Sequence, residues 1–225
     1  MTKKVQNQEE VVVAEAVSKT EKFFEQNGKK VVALLTILIV IIAGVVGYKF
    51  LVVDKNEAAA AELIVNAQNN FKGQTPNYEV ALKGDEKGAG FLDVIEQYGS
   101  TKAGNTANHY AGICYLHLGD LENADKYLKA YEAVGDSVAA EIIDAQNLGL
   151  QGDVAVELKN YEEAAELYAK AVATSENEYT APYYLHKQAL ALVAAGKAEE
   201  AKACCQTIIE KYPNSNEKSA AEKML

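Results

Sequence analysis

From Val31 to Tyr48 the chain carries no charged side chain. Extended through Lys49 to Val53, the stretch forms a helix long enough to cross a hydrocarbon layer of roughly 30 Å, and a lipid-embedded backbone must satisfy its own hydrogen bonds. The segment 30–53 is therefore predicted to be a transmembrane helix, which fixes a helix at the start of the fold. Lys49 sits near its far end, where the four-carbon stem can lie along the helix while the ammonium reaches the headgroups. A cleavable signal peptide is the competing reading. The mixed-charge leader of about thirty residues is too long for an n-region, and the nearest small-residue run, Ala58–Ala61, lies too far beyond the apolar stretch. Lys19, Lys22, Lys29 and Lys30 lie near the amino-terminal side of the span, against Lys49 and Lys55 around its other end. The positive-inside bias then places residues 1–29 in the cytoplasm as a short leader and the rest of the chain outside. Within the leader, Val13, Val17 and Phe24 could share one side of a surface helix. Within the span, Ala43 and Gly47 form a small-xxx-small pair that could admit a neighbouring helix.

The net charge of −10 is unevenly spread. Residues 1–53 hold seven lysines against five acids, and the remainder 15 against 27, so the downstream portion is close to −12. Such a field repels nucleic acid and anionic headgroups, and with no arginine in the chain the side chain best suited to bidentate phosphate contacts is missing. Nucleic acid is excluded as a partner on these grounds. Cys114, Cys204 and Cys205 are odd in number and lack metal-type spacing. Each falls within an amphipathic helical stretch, so they read as small hydrophobes in or near a core.

Beyond the anchor, residues 54–90 read as an alanine-rich helix followed by a glycine-containing linker or degenerate first repeat. A self-similar pattern then fills 91–225. In the first pass Gly112, Tyr115, Gly119, Ala124 and Leu128 follow one another at spacings of three, four, five and four. The second pass has Gly152, Tyr161, Ala164, Tyr168 and Ala171; the third has Ala189, Leu192, Gly196, Ala201, Ile208 and Pro213. Small residues at these offsets are needed where two antiparallel helices of a hairpin touch, and a turn glycine relaxes the backbone between them. The pattern resembles the tetratricopeptide repeat. It departs from that family in lacking the first-helix tryptophan, whose place is taken by Asn108, Leu148 and Leu185, and in alanine-to-alanine spacings of 40 and 37 rather than about 34. FLDVIEQYGSTKAGNTA resembles TIIEKYPNSNEKSAA in its order of helix, tyrosine, small turn residues and new helix, which points to a further degenerate repeat ahead of the three clear ones. The expected fold is all-α: one N-terminal transmembrane helix, then an α-solenoid of three clear repeats and one degenerate repeat, closed by a capping helix in SNEKSAAEKML.

Anchor plus repeats together resemble the bacterial group that contains the ancillary subunit of the Sec translocon, whose repeat domain is related to that of the periplasmic cell division coordinator. The resemblance implies a single-pass protein of the bacterial inner membrane with periplasmic repeats. It implies protein or peptide segments as partners, with a translocon or other envelope complex among them. In this family the first helix of each hairpin lines the concave face. The matching positions here are Thr106, His109, Ile113, Leu116 and His117; then Gln146, Gly149, Asp153, Val156 and Glu157; then Tyr183, His186, Leu190, Val193 and Ala194. All three histidines fall among them, which raises the expectation of a groove whose affinity responds near neutral pH. Cys114 and His117 stand one helical turn apart but have no further ligands at metal-site spacing nearby. No serine elbow, phosphate loop or paired-histidine metalloprotease motif is present, so the expectation is a non-catalytic scaffold without cofactor or metal. A structural adaptor in envelope assembly or division is the alternative. An enzyme would need the groove histidines brought to Asp153 or Glu157.

Overall fold

The computed structural model describes the backbone of every residue except Met1 and Gln74, and the side chains of all but residues 1–20, Lys22, Phe24 and Gln74. The expected alignment of Val13, Val17 and Phe24 lies outside the described side chains. The described residues are all-α, apart from an isolated antiparallel bridge between Asp85 and Gly88. The chain forms two compact units, residues 1–55 and 56–225.

The first unit holds α1 (Thr2–Tyr48) and a π-helical stretch, Lys49–Val53. The large apolar side chains from Val32 to Val53 are exposed, with Leu34 at 67% and Phe50 at 71%. Among the described residues of this unit, none covers this face. The hydroxyl of Thr36 donates to the Val32 carbonyl at 2.9 Å, so the polar side chain inside the apolar stretch is satisfied within its own helix. The helix is long and apolar enough to cross a membrane.

In the second unit, α2 (Asp54–Lys72), α3 (Tyr78–Lys83) and α4 (Phe91–Tyr98) precede three helical hairpins. These are α5 (Lys102–His117) with α6 (Leu121–Ala130), α7 (Val138–Glu157) with α8 (Tyr161–Thr174), and α9 (Thr180–Ala194) with α10 (Ala198–Lys211), followed by the short α11 (Lys218–Glu222). Ile64, Ala67, Leu82, Phe91, Val94, Ala107 and Cys114 share one core, so α2, α3 and α4 pack with the first hairpin. The Glu57 carboxylate accepts the Lys102 N–H with both oxygens at 3.1 Å, placing a negative charge at the N-terminus of α5. Cys114 and Cys205 are fully buried and Cys204 partly so. Burial pushes the Cys114 thiol up to about 12 and the Cys204 thiol up to about 11, in keeping with their reading as small hydrophobes.

Helices within a hairpin meet where the small residues stand. A Cβ on Gly112 would lie 2.5 Å from Leu128 Cγ, and one on Gly152 would lie 2.7 Å from the Tyr168 ring. Between hairpins, a Cβ on Gly149 would lie 2.2 Å from the Tyr184 ring of α9, so the second repeat also needs glycine where it meets the third. α5 adjoins α7, and α7 adjoins α9, which sets the three first helices side by side.

The long spacing between the first two repeats is taken up by residues 131–137, and this linker is held at both sides. The Asp144 carboxylate, almost fully buried, accepts from Tyr131 Oη at 2.7 Å and from the N–H groups of Val134 and Gly135. Asn105 of α5 pairs reciprocally with the backbone of Glu132, at 2.7 and 2.8 Å.

Each hairpin turn closes with the same two backbone bonds: Gly119 N–H to Leu116 and Asp120 N–H to Tyr115; Lys159 N–H to Val156 and Asn160 N–H to Ala155; Gly196 N–H to Val193 and Lys197 N–H to Leu192. This Schellman arrangement requires a left-handed residue at its centre. Gly119 and Gly196 supply it at φ +78°, but the middle hairpin places Lys159 there, at φ 63°. The Lys159→Gly variant should gain about 0.5–1 kcal/mol in denaturant unfolding, while Gly119→Ala should lose about 1 kcal/mol.

Candidate peptide-binding groove

The three first helices end along one edge of the array, and a cavity of about 730 Å³ opens over their last turns. Leu116 of α5, Val156 of α7, and Leu190, Ala191 and Ala194 of α9 give it an apolar lining. Gly119, Leu121 and Tyr161 add the turn and the starts of the second helices. Leu190 is half exposed, so its side chain is open to an incoming group. Helix periodicity explains the convergence: Glu157 lies four residues after Asp153, and Leu190 and Ala194 are likewise four apart, each pair on one face.

At the floor, Asp153 of α7 meets Lys187 of α9. Lys187 Nζ lies 2.7 and 2.8 Å from the two carboxylate oxygens, and Tyr168 Oη donates to Oδ1 at 2.5 Å. The ammonium also sits 5.0 Å from the Tyr183 ring centroid and 5.7 Å from that of Tyr168, within cation–π range. Burial disfavours the Lys187 charge, but the Asp153 carboxylate outweighs it and holds the lysine pKa above its ordinary value. Burial, with the bond to Asp153, pushes the Tyr168 phenol well above its ordinary range, so it stays protonated and donates to that carboxylate. The pair is a fixed internal ion pair joining the second and third hairpins.

Of the residues expected on the concave face, Leu116, Asp153, Val156, Glu157, Leu190 and Ala194 come together in this cavity. Tyr183 stands beside it through its contact with Lys187. The others lie elsewhere. Ile113 is buried, and Gly149 is covered by Tyr184. Thr106 turns its hydroxyl back to the Lys102 carbonyl, Gln146 is exposed next to His109, and Val193 is exposed outside the cavity wall.

The histidines are dispersed. His117 stacks on Tyr78 with ring centroids 4.2 Å apart and planes within 2°, and His186 is half-buried on α9 outside the lining. His109 is only 2% exposed, between α5 and α7, with Nδ1 3.1 Å from Asn147 Nδ2. The Asn147 amide donates there, which assigns the ring proton to Nε2. None of the three lines the cavity that holds Asp153 and Glu157, so the histidine–carboxylate constellation an enzyme reading required is not assembled. Sequence reading missed Lys187 and the lining role of Tyr168. The available signal was that Lys187 lies one helical turn before Leu190, which occupies the place in the third repeat that Asp153 occupies in the second.

The same burial moves the expected pH response from binding to stability. Desolvation lowers the His109 pKa from 6.5 to about 4, against the opposing effects of Gln146 and Asp144. The folded protein holds the imidazole neutral, whereas the unfolded chain protonates it at its ordinary pKa. Stability from this group is complete above pH 6.5, falls by roughly 3 kcal/mol as pH drops to 4, and then levels. Denaturant unfolding across pH 7 to 4 should show a visibly shallower loss for His109→Gln than for the parent.

The pattern of the tetratricopeptide repeat family matches residues 155–223, from the end of α7 through the whole third hairpin to α11. No curated protein matches the chain in sequence. The fold is an all-α array of tetratricopeptide-like hairpins preceded by one long apolar helix.

Proposed function

We propose that the chain is a membrane-anchored, non-catalytic scaffold whose hairpin array holds segments of other proteins. The carrying observation is the cavity itself: it is apolar, it opens over the ends of three neighbouring helices, and its polar floor is already internally paired, which suits a side chain that binds without reacting. The repeat pattern over residues 155–223 supports the protein-binding class. The uncovered apolar face of α1 supports the anchor, since exposed aliphatic side chains over this length are stabilised by lipid and not by water.

The lysine bias around the anchor favours a cytoplasmic leader and hairpins on the outer, periplasmic side of a bacterial inner membrane. The overall resemblance to the ancillary translocon subunit favours secreted chains or translocon components as clients. Confining the groove to the membrane surface raises the effective concentration of anything else held there, so the anchor contributes to capture without touching the client.

Two measurements test this reading. Protease added outside intact spheroplasts should degrade the hairpins, and full protection would reverse the orientation. A photo-crosslinking residue at Ala194 should capture envelope proteins in cells, and Leu116→Lys or Leu190→Lys should lower that capture about tenfold or more. Capture unchanged in both folded variants would remove the groove as the working surface.

A further inference from the structure

Resting on the groove reading above, we propose that the preferred occupant is a segment pairing an apolar side chain with a lysine or arginine. The apolar group would settle between Leu116, Val156 and Leu190 while the cation meets Glu157.

The charges at the cavity carry this inference. Three charged side chains line it: Asp153, Glu157 and Lys187. Lys187 is bound by both oxygens of Asp153 and faces two tyrosine rings, so the one lining cation is occupied. An incoming carboxylate would have to displace an internal carboxylate already at 2.7 Å, and would be repelled by it. Glu157 is exposed and has no ion-pair or hydrogen-bond partner among the described residues. Helix dipoles do not alter the balance, because the negative ends of α5 and α7 meet the positive ends of α6 and α8 at the same edge. The wider field agrees in sign, with 27 acids against 15 lysines beyond residue 53, and such a field speeds the approach of cationic segments. Apolar area supplies contact, and the unpaired carboxylate selects the sign of the neighbouring charge.

The test uses the full chain in phosphatidylcholine nanodiscs, with empty nanodiscs as the blank. The probes are three fluorescein-labelled dodecapeptides: alternating leucine and lysine, alternating leucine and glutamate, and alternating serine and lysine. Fluorescence anisotropy should show saturable binding of the leucine–lysine peptide, and binding at least tenfold weaker for the other two. Glu157→Gln, a change on an exposed side chain, should weaken the leucine–lysine peptide about threefold to fivefold. Glu157→Lys should narrow or invert its advantage over the leucine–glutamate peptide. Equal binding of the two leucine peptides, both lost in Leu190→Lys, would overturn the cation preference while leaving the groove in place. Leucine–lysine binding that persists unchanged in Leu190→Lys would overturn the groove itself.

Discussion

The second unit depends on how closely its helices approach. At Gly112, Gly149 and Gly152 there is no room for even a methyl group, and each position is filled by a large side chain from the neighbouring helix: Leu128, Tyr184 and Tyr168. Two of these contacts close hairpins and the third joins hairpins, so one kind of steric allowance builds both levels of the array. The close approach also positions the site chemistry. Tyr168, pressed against Gly152, is carried to the distance at which its hydroxyl reaches Asp153, and that carboxylate then holds Lys187 of the next hairpin. A side chain at Gly152 would push apart the helices that the polar floor of the groove requires.

Much of this was legible because it is periodic. Gly112, Gly152 and Ala189 announced the hairpin crossings, the turn glycines announced the left-handed closures, and the uncharged run announced a helix long and apolar enough to cross a membrane. Lys159 was not legible as a turn residue, since only tertiary closure of the hairpin forces a lysine to positive φ. The role of α2 and α3 was left open, since residues 54–90 read equally as a linker or as a degenerate first repeat. Their contribution to the first core rests on scattered positions such as Ile64, Ala67 and Leu82, joined by a segment whose glycines and proline read as a break.

For the groove, residue positions were easier to read than residue fates. Repeat register placed Leu116, Val156, Glu157 and Leu190 on one face, and they do share a cavity. The same register placed His109 on that face, but register cannot tell whether a neighbouring hairpin will cover a position. The first two hairpins pack closely enough there to bury the imidazole beside Asn147. Lys187 shows the opposite error: read alone, a lysine is solvated surface, and only a carboxylate 34 residues earlier in the chain makes it part of the floor.

The linker between the first two hairpins has a consequence for how the array comes apart. Residues 131–137 are gripped from one side by Asn105 and from the other by Asp144, and the next linker is knotted locally by Ser175, Asn177 and Thr180. In a stack where each hairpin touches only its neighbours, slack linkers would let an internal boundary open while both flanks stayed folded. The pinned linker between the first two hairpins removes that slack, because parting them means exposing the buried Asp144 carboxylate. Opening at that boundary is thereby coupled to the loss of the Asp144 and Asn105 bonds, so the first two hairpins are tied in stability more tightly than stacking alone would tie them.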